Sequence, residues 1–371
     1  MLKKWLSALF FFNRQKTTEP SDSDDSPAQP EEDSVAEPAP KASIVAYEGD
    51  NSPEPLLHDP TTVSRAFYDL IFSFNSDSDE SMNELEKTIC AELTQMIKAQ
   101  SVPEEFIPRL PMIVTEVLDL LANDASTEDL STTIEQDPGL THDLFALANS
   151  VAFRVSRENK MTSVKQVVIH LGQKEVNKMA LKLALQPMMQ VHHVYFKLFG
   201  DIIWKHSHET AAFCAAIFEA QGQEPFDGFL LGLLHDVGKI VAFSVIVNAI
   251  KDSDPSLMPG TRRFKAIMEH TSRQATFFVG KQWSLPPNIM IAFRDHSVTN
   301  KPKDMSDAGK ALHWANLLSE LCLLVKADMC ETEGIVDRLE REGMPRELCQ
   351  TLFDESINPP EGPTNQELEA S

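Results

Sequence analysis

The residues best placed to do chemistry interrupt an apolar run. Phe229 to Phe243 reads Phe-Leu-Leu-Gly-Leu-Leu-His-Asp-Val-Gly-Lys-Ile-Val-Ala-Phe, hydrophobic except for His235, Asp236 and Lys239. An ionised group buried without a partner costs several kcal/mol. The interruption therefore demands a protein partner, a metal ion, or a cavity open to water. The bland reading is a hydrogen-bonded polar pair near a helix end, and the sharper one is a metal or phosphate site. His206, His270 and His296 also sit in or beside apolar runs. One such histidine is an ordinary core residue, whereas four with an aspartate point toward a site. Imidazole and carboxylate donors suit Zn, Fe, Mn or Ni. Adjacent residues such as His235 and Asp236 cannot share a helical face, but at a helix end both can converge on one ion.

These side chains need helices to position them, and the sequence predicts helices throughout. Val63, Ala66, Phe67, Leu70, Ile71 and Phe74 fall at helical spacing, and a second stripe runs through Leu85, Ile89, Leu93, Met96 and Ile97. Pro111 opens a helix whose buried face is Ile113, Val114, Val117, Leu118 and Leu121. Ser126 with Asp129, and Ser163 with Gln166, read as capping boxes, and Asp137-Pro138 is a further start signal. Glu175 to Leu185 is a helix that Pro187 should stop. Later helices carry the histidines: one beginning near Ile202, one from Pro225, a long one from Phe264 to Trp283, one after Pro286-Pro287, and one through His313-Trp314-Ala315-Asn316. Two more lie around Ile335–Glu342 and Arg346–Phe353. No alternating strand pattern, Gly-rich phosphate loop or fixed-period repeat occurs, so the expected fold class is all-α.

At 371 residues the chain is long enough for one large domain or two ordinary ones. Its net charge of −23 argues against bulk binding to nucleic acid. Much of that charge falls between Thr17 and Pro60, a Pro/Ser/Asp/Glu-rich stretch expected to be a disordered linker. The first sixteen residues carry Trp5, Phe10, Phe11 and Phe12 between basic residues, too short an apolar run to span a bilayer. This segment is either unstructured or a peripheral membrane contact through residues 1–12. The expected organisation is therefore 1–16 N-terminus, 17–60 linker, 61–100 helical extension, 101–330 main domain, 331–357 C-terminal helices and 358–371 tail. Cys90, Cys214, Cys322, Cys330 and Cys349 are odd in number and form no Cys-x-x-Cys pair. They suit a reducing, cytoplasmic setting better than a disulfide framework.

A His followed about thirty residues later by His-Asp, and then a late Asp, resembles the pattern of the HD superfamily of metal-dependent phosphohydrolases. More closely, Leu110 to Trp283 looks like an HDOD domain, the HD-related output domain of bacterial signalling proteins. The matching pieces are Gln136-Asp137-Pro138-Gly139-Leu140, Leu147-Ala148-Asn149-Ser150, Thr162-Ser163-Val164, Leu171-Gly172, Trp204-Lys205-His206-Ser207 and Leu230–Lys239. The resemblance implies an HD-like helical domain with His206, His235 and Asp236 as direct ligands of a divalent metal (Mn, Fe, Mg, Zn or Ni). His270 and His296 match places where HD enzymes with larger metal sites put further histidines. Asp236 would also orient a metal-bound water, and Lys239 would neutralise charge on a leaving phosphate. Two departures stand out. The late Asp falls at Asn316, and His296 is followed by Ser297-Val298-Thr299 where cyclic dinucleotide phosphodiesterases carry Gly-Tyr-Pro. Together they imply a regulatory signal-transduction module without efficient catalysis, whose partners are signalling proteins or a small nucleotide-like ligand. The alternative is a metal-dependent phosphohydrolase acting on a nucleotide or phosphate ester.

Overall fold

The computed structural model describes residues 60–358, apart from 73–80, 124, 151–152, 154–159, 190–197, 255 and 299–300. The expected N-terminal segment, acidic linker and tail, along with Phe74, lie outside the described residues. Among the described residues every regular element is helical and there is no strand.

Two helices precede the main body, α1 (Pro60–Phe72) and α2 (Glu84–Ala99). A set of short helices follows: α3 (Met112–Ala122), α4 (Thr127–Glu135), α5 (Pro138–Ala148), α6 (Val164–Leu171) and α7 (Gln173–Met189). Their starts are local events. Ser126 and Asp129 form a reciprocal capping box, and Asp137 caps α5 with Pro138 at the first position. At α6, Ser163 accepts from Gln166 N, while the Gln166 side chain turns back to Thr162 N instead of Ser163 N. Pro187 does not stop α7, which continues to Met189. It sits in the last turn, where only the hydrogen bond to the residue 183 carbonyl is lost, so most of the disruption expected mid-helix is avoided.

The longer helices form the second half: α8 (Phe199–Ala220), α9 (Pro225–Leu234), α10 (Val237–Lys251), α11 (Arg262–Gln282), α12 (Pro287–Val298) and α13 (Asp307–Lys326). Helices α14 (Ile335–Arg341) and α15 (Arg346–Ile357) pack on α13. One continuous core runs from Val63 through Phe353. By length and composition Pro225–Lys251 would cross a bilayer, yet 89% of its most apolar window is buried inside the fold. It is the central core stretch of this domain.

That stretch is two helices, not one. His235 ends α9 and Asp236 begins α10. Glycines on either side let neighbouring backbones come close. A Cβ on Gly232 would meet Ala211 Cα at 2.5 Å, and one on Gly238 would meet the Ser272 carbonyl oxygen at 1.9 Å. Gly232 thus seats the end of α9 on α8, and Gly238 seats the start of α10 on α11. Between them the His-Asp corner is held at the centre of the fold.

The N-terminal helices are integral to this body. Glu86 of α2 is fully buried, and its carboxylate accepts from the backbone N–H groups of Gly260 and Thr261, both at 2.7 Å. Asp69 of α1 pairs with buried Lys265 of α11. Helix α1 packs against α8, α11 and α13, the helices that carry the chemistry.

Candidate metal centre

Four side chains converge at the α9–α10 corner. His206 comes from α8, His235 and Asp236 from the corner, and Asn316 from α13. His206 Nε2 lies 3.1 Å from His235 Nε2 and 3.2 Å from Asn316 Oδ1. His235 Nε2 lies 2.9 Å from Asn316 Oδ1. Asp236 Oδ2 is 3.3 Å from His206 Nε2, and its Oδ1 is 3.4 Å from His235 Nε2. All four residues are buried, with His206 fully excluded from solvent.

The surrounding hydrogen bonds decide which atoms carry protons. The Gly232 carbonyl accepts from His235 Nδ1 at 2.7 Å, which leaves His235 Nε2 bare. Ser319 Oγ donates to Glu209 Oε2 at 3.0 Å and so accepts from His206 Nδ1, also at 3.0 Å. His206 Nε2 is then bare as well. Glu209 is fixed in turn by Lys326 at 2.8 Å and by Ser356 at 2.6 Å. Asn316 donates its Nδ2 to Glu320 Oε1 at 3.2 Å, turning Oδ1 toward the histidines. Burial holds His206 well below the usual imidazole range and lowers His235 too, against the pull of Asp236. Both rings are therefore neutral at pH 7. Two imidazole lone pairs, an amide oxygen and a carboxylate face one point with no proton between them.

Such an arrangement is repulsive on its own and favourable around a cation. Donors each about 2.0–2.2 Å from a common ion would stand about 3.0–3.5 Å apart, close to the separations here. His206, His235 and Asp236 also form a metal-capable group whose ligand atoms lie within 4.8 Å of one another. The donor set fits a divalent ion, and the Gly232 and Ser319 contacts are the kind that orient ligating imidazoles.

Lys239 does not stand free to meet a substrate. Its Nζ donates to both Asp236 oxygens, at 2.6 and 2.7 Å. Burial opposes the Asp236 charge, but His235, the Lys239 ammonium and His206 hold its carboxyl well below the usual range. The Lys239 ammonium also lies 5.4 Å from the centre of the Phe67 ring, and that ring stands 4.7 Å from His206. Phe67, from α1, is fully buried and closes this side of the cluster.

The two remaining histidines are not gathered into the cluster. The His296 ring is 6.5 Å from that of His235, and its Nδ1 is buried with no hydrogen-bond partner among the described residues. His270 is exposed, with Nε2 at 3.1 Å from Gln274 Nε2. The buried face of α11 is carried by Phe264, Met268, Ala275 and Val279, which turns His270 outward. Sequence reasoning missed Ser319, Glu209, Glu320 and Phe67. The first three sit three or four positions from His206 or Asn316 on α8 and α13, a spacing that could have marked them. Burial pushes the Glu320 carboxyl up to about 7.

The HDOD domain family matches residues 107–298, just over half of the chain. The chain belongs to the HDOD family. Among solved structures, this HDOD protein is similar to a Shewanella amazonensis SB2B protein described as a candidate metal-dependent phosphohydrolase. The identity is 15% and the TM-score 0.51, over 75% of this chain and 98% of that one. An HDOD domain protein of unknown function from Geobacter sulfurreducens is 18% identical with a TM-score of 0.49, over 76% and 93% of the two chains. Another Shewanella amazonensis SB2B candidate phosphohydrolase is 19% identical with a TM-score of 0.49, over 71% and 94%. No curated protein matches the chain. At these identities the likeness bears on the fold alone. The HDOD match runs from Ile107 to Val298, so α1 lies before it and Asn316 and Ser319 lie after it, while Glu209 falls within it.

Proposed function

We propose that this HDOD protein is a regulatory signal-transduction module whose HD-type site holds one divalent ion without efficient turnover. The ion would be bound by His206, His235 and Asp236, with Asn316 as a neutral fourth donor. When bound, it would supply Lewis-acid polarisation of an oxygen ligand. The observation that carries the reading is that the site is closed. Catalytic metal sites keep a position open for water or substrate. Here Asn316 fills one side of the cluster, Lys239 engages both oxygens of Asp236, and Phe67 lies over His206. An amide in place of a carboxylate also leaves the donor set one negative charge poorer, which weakens binding of a divalent ion.

The partners proposed are signalling proteins or a small nucleotide-like ligand, with residues 1–12 as a peripheral membrane contact. A cytoplasmic setting is supported by five cysteines in the free thiol state, four of them buried in the core or against it.

The test is turnover. The full chain, loaded with Mn or Mg, is assayed on nucleotides and simple phosphate esters beside His235→Ala. The proposal expects the same background rate from both. A wild-type rate at least a hundredfold above that of His235→Ala would overturn it in favour of a phosphohydrolase, the reading that the retained His206, His235 and Asp236 would then support.

A further inference from the structure

Beside the metal-capable cluster lies a cavity of about 450 Å³, lined along one face by α11. Arg262, Lys265, Ala266, Glu269, His270 and Arg273 contribute at successive turns, a three-to-four-residue spacing that puts them on one stripe of the helix. Arg65 of α1 stands on the cavity wall, and His296, Ser297 and Val298 at the end of α12 complete it. In a chain of net charge −23, this lining carries four permanent cations and one carboxylate. Arg273 is paired with Glu269 at 2.8 Å and Lys265 with Asp69, so both are held in fixed positions. Among the described residues, Arg65 makes one long contact, from Nη2 to Thr62 Oγ1 at 3.4 Å. The unpartnered, buried Nδ1 of His296 is the second polar feature of the wall.

We infer that this cavity is a binding site for a small phosphorylated anion, completed by Arg65 from a helix that lies outside the matched HDOD segment. The volume suits a ligand of nucleotide size. Guanidinium groups match the geometry of phosphate oxygens, two donors to two acceptors. A concave wall with an excess of positive charge concentrates the field on an anion that enters. The site is separate from the metal-capable cluster and does not depend on a metal being bound there. It does share a helix with it: α1 supplies Arg65 to the cavity and Phe67 to the cluster two residues later. An anion on Arg65 therefore strengthens the seating of the helix that closes the HD corner.

The experiment is calorimetric titration of the full chain with inorganic pyrophosphate at near-physiological salt. Wild type is expected to bind one pyrophosphate per chain, Arg65→Ala and Arg262→Ala each at least tenfold more weakly, and Arg109→Ala, which lies outside this cavity, like wild type. No binding at millimolar pyrophosphate overturns the inference, as does binding unchanged in both arginine variants. His235→Ala, checked for native helicity by circular dichroism, separates this site from the metal reading. Retained pyrophosphate binding there supports a separate anion site, whereas loss of binding in His235→Ala with Arg65→Ala silent would place the anion on the HD cluster. In a parallel arm with phosphatidylglycerol vesicles, Arg65-dependent binding to vesicles without binding of free pyrophosphate would overturn the free-anion assignment.

Discussion

The HD corner and the cavity next to it are built from opposite halves of the hydrogen bond. At the corner, two imidazoles, an amide and a carboxylate present lone pairs to one buried point, and the protons that could separate them are drawn away to Gly232 and Ser319. In the cavity, Arg65, Arg262, Lys265 and Arg273 line the wall, with Lys265 paired to Asp69 and Arg273 to Glu269. One region is organised to want a cation and the other to want an anion. Burial alone therefore does not define a functional site. What matters is which sign predominates among the polar groups that converge on one point.

The comparison can be strained at its strongest bond. Asp236→Asn removes the charge that matches Lys239 while leaving both groups buried. It is expected to cost about 3–5 kcal/mol, the range for breaking a buried ion pair from one side, measured by urea unfolding. A loss below about 1 kcal/mol would mean that the pair is wetter than its geometry indicates.

A third buried polar region sharpens the contrast. Lys182 of α7 is 4% exposed, packed near His208, and burial brings its pKa down to about 7. Its folded pKa lies below the value near 10.4 of an unfolded lysine. Between pH 7 and about 10 the unfolded chain therefore binds more protons, and stability should rise with pH across that window. Lys182→Met should flatten the slope and raise the melting temperature at pH 7 by several degrees. An unchanged slope would assign it to other groups.

At the corner itself, Ser319→Ala removes the group that fixes the His206 tautomer. Supporting contacts of this kind are worth about tenfold or more in metal affinity. Titration with Zn or Mn should show a loss of that order with the fold intact, and an unchanged affinity would remove Ser319 from the site. Asn316→Asp should act in the other direction. It adds a negative charge to the donor set but places it beside Glu320, whose carboxyl already titrates near neutrality. The net gain in metal affinity should be a few-fold and larger at pH 6.5 than at pH 8, where Glu320 is ionised. No gain at either pH would mean that residue 316 does not reach the ion.

The fold was legible in the sequence because its signals are local. Capping residues, prolines and apolar stripes mark most of the helix starts, and Pro187 misled only because its position in the last turn depends on where α7 ends. The His235-Asp236 corner was legible because polar residues break an apolar run. Asn316 was found only through the family pattern. What stayed hidden depends on long-range packing. The stripe on α1 says that the helix is buried but not that Phe67 lands on His206. His270 and His296 look alike in sequence, yet α11 turns one outward and α12 leaves the other buried at the cavity wall. Arg65 and the arginines of α11 read as ordinary surface charge until the helices bring them together.

The most direct test of the account is metal binding by the full chain. Protein purified without chelator should carry close to one divalent ion per chain by elemental analysis. After stripping, calorimetry should restore one site in wild type and none in His235→Ala. Absence of a site in wild type, or a site that survives His235→Ala, would contradict the claim that the buried lone pairs of His206, His235, Asp236 and Asn316 are held together for a metal.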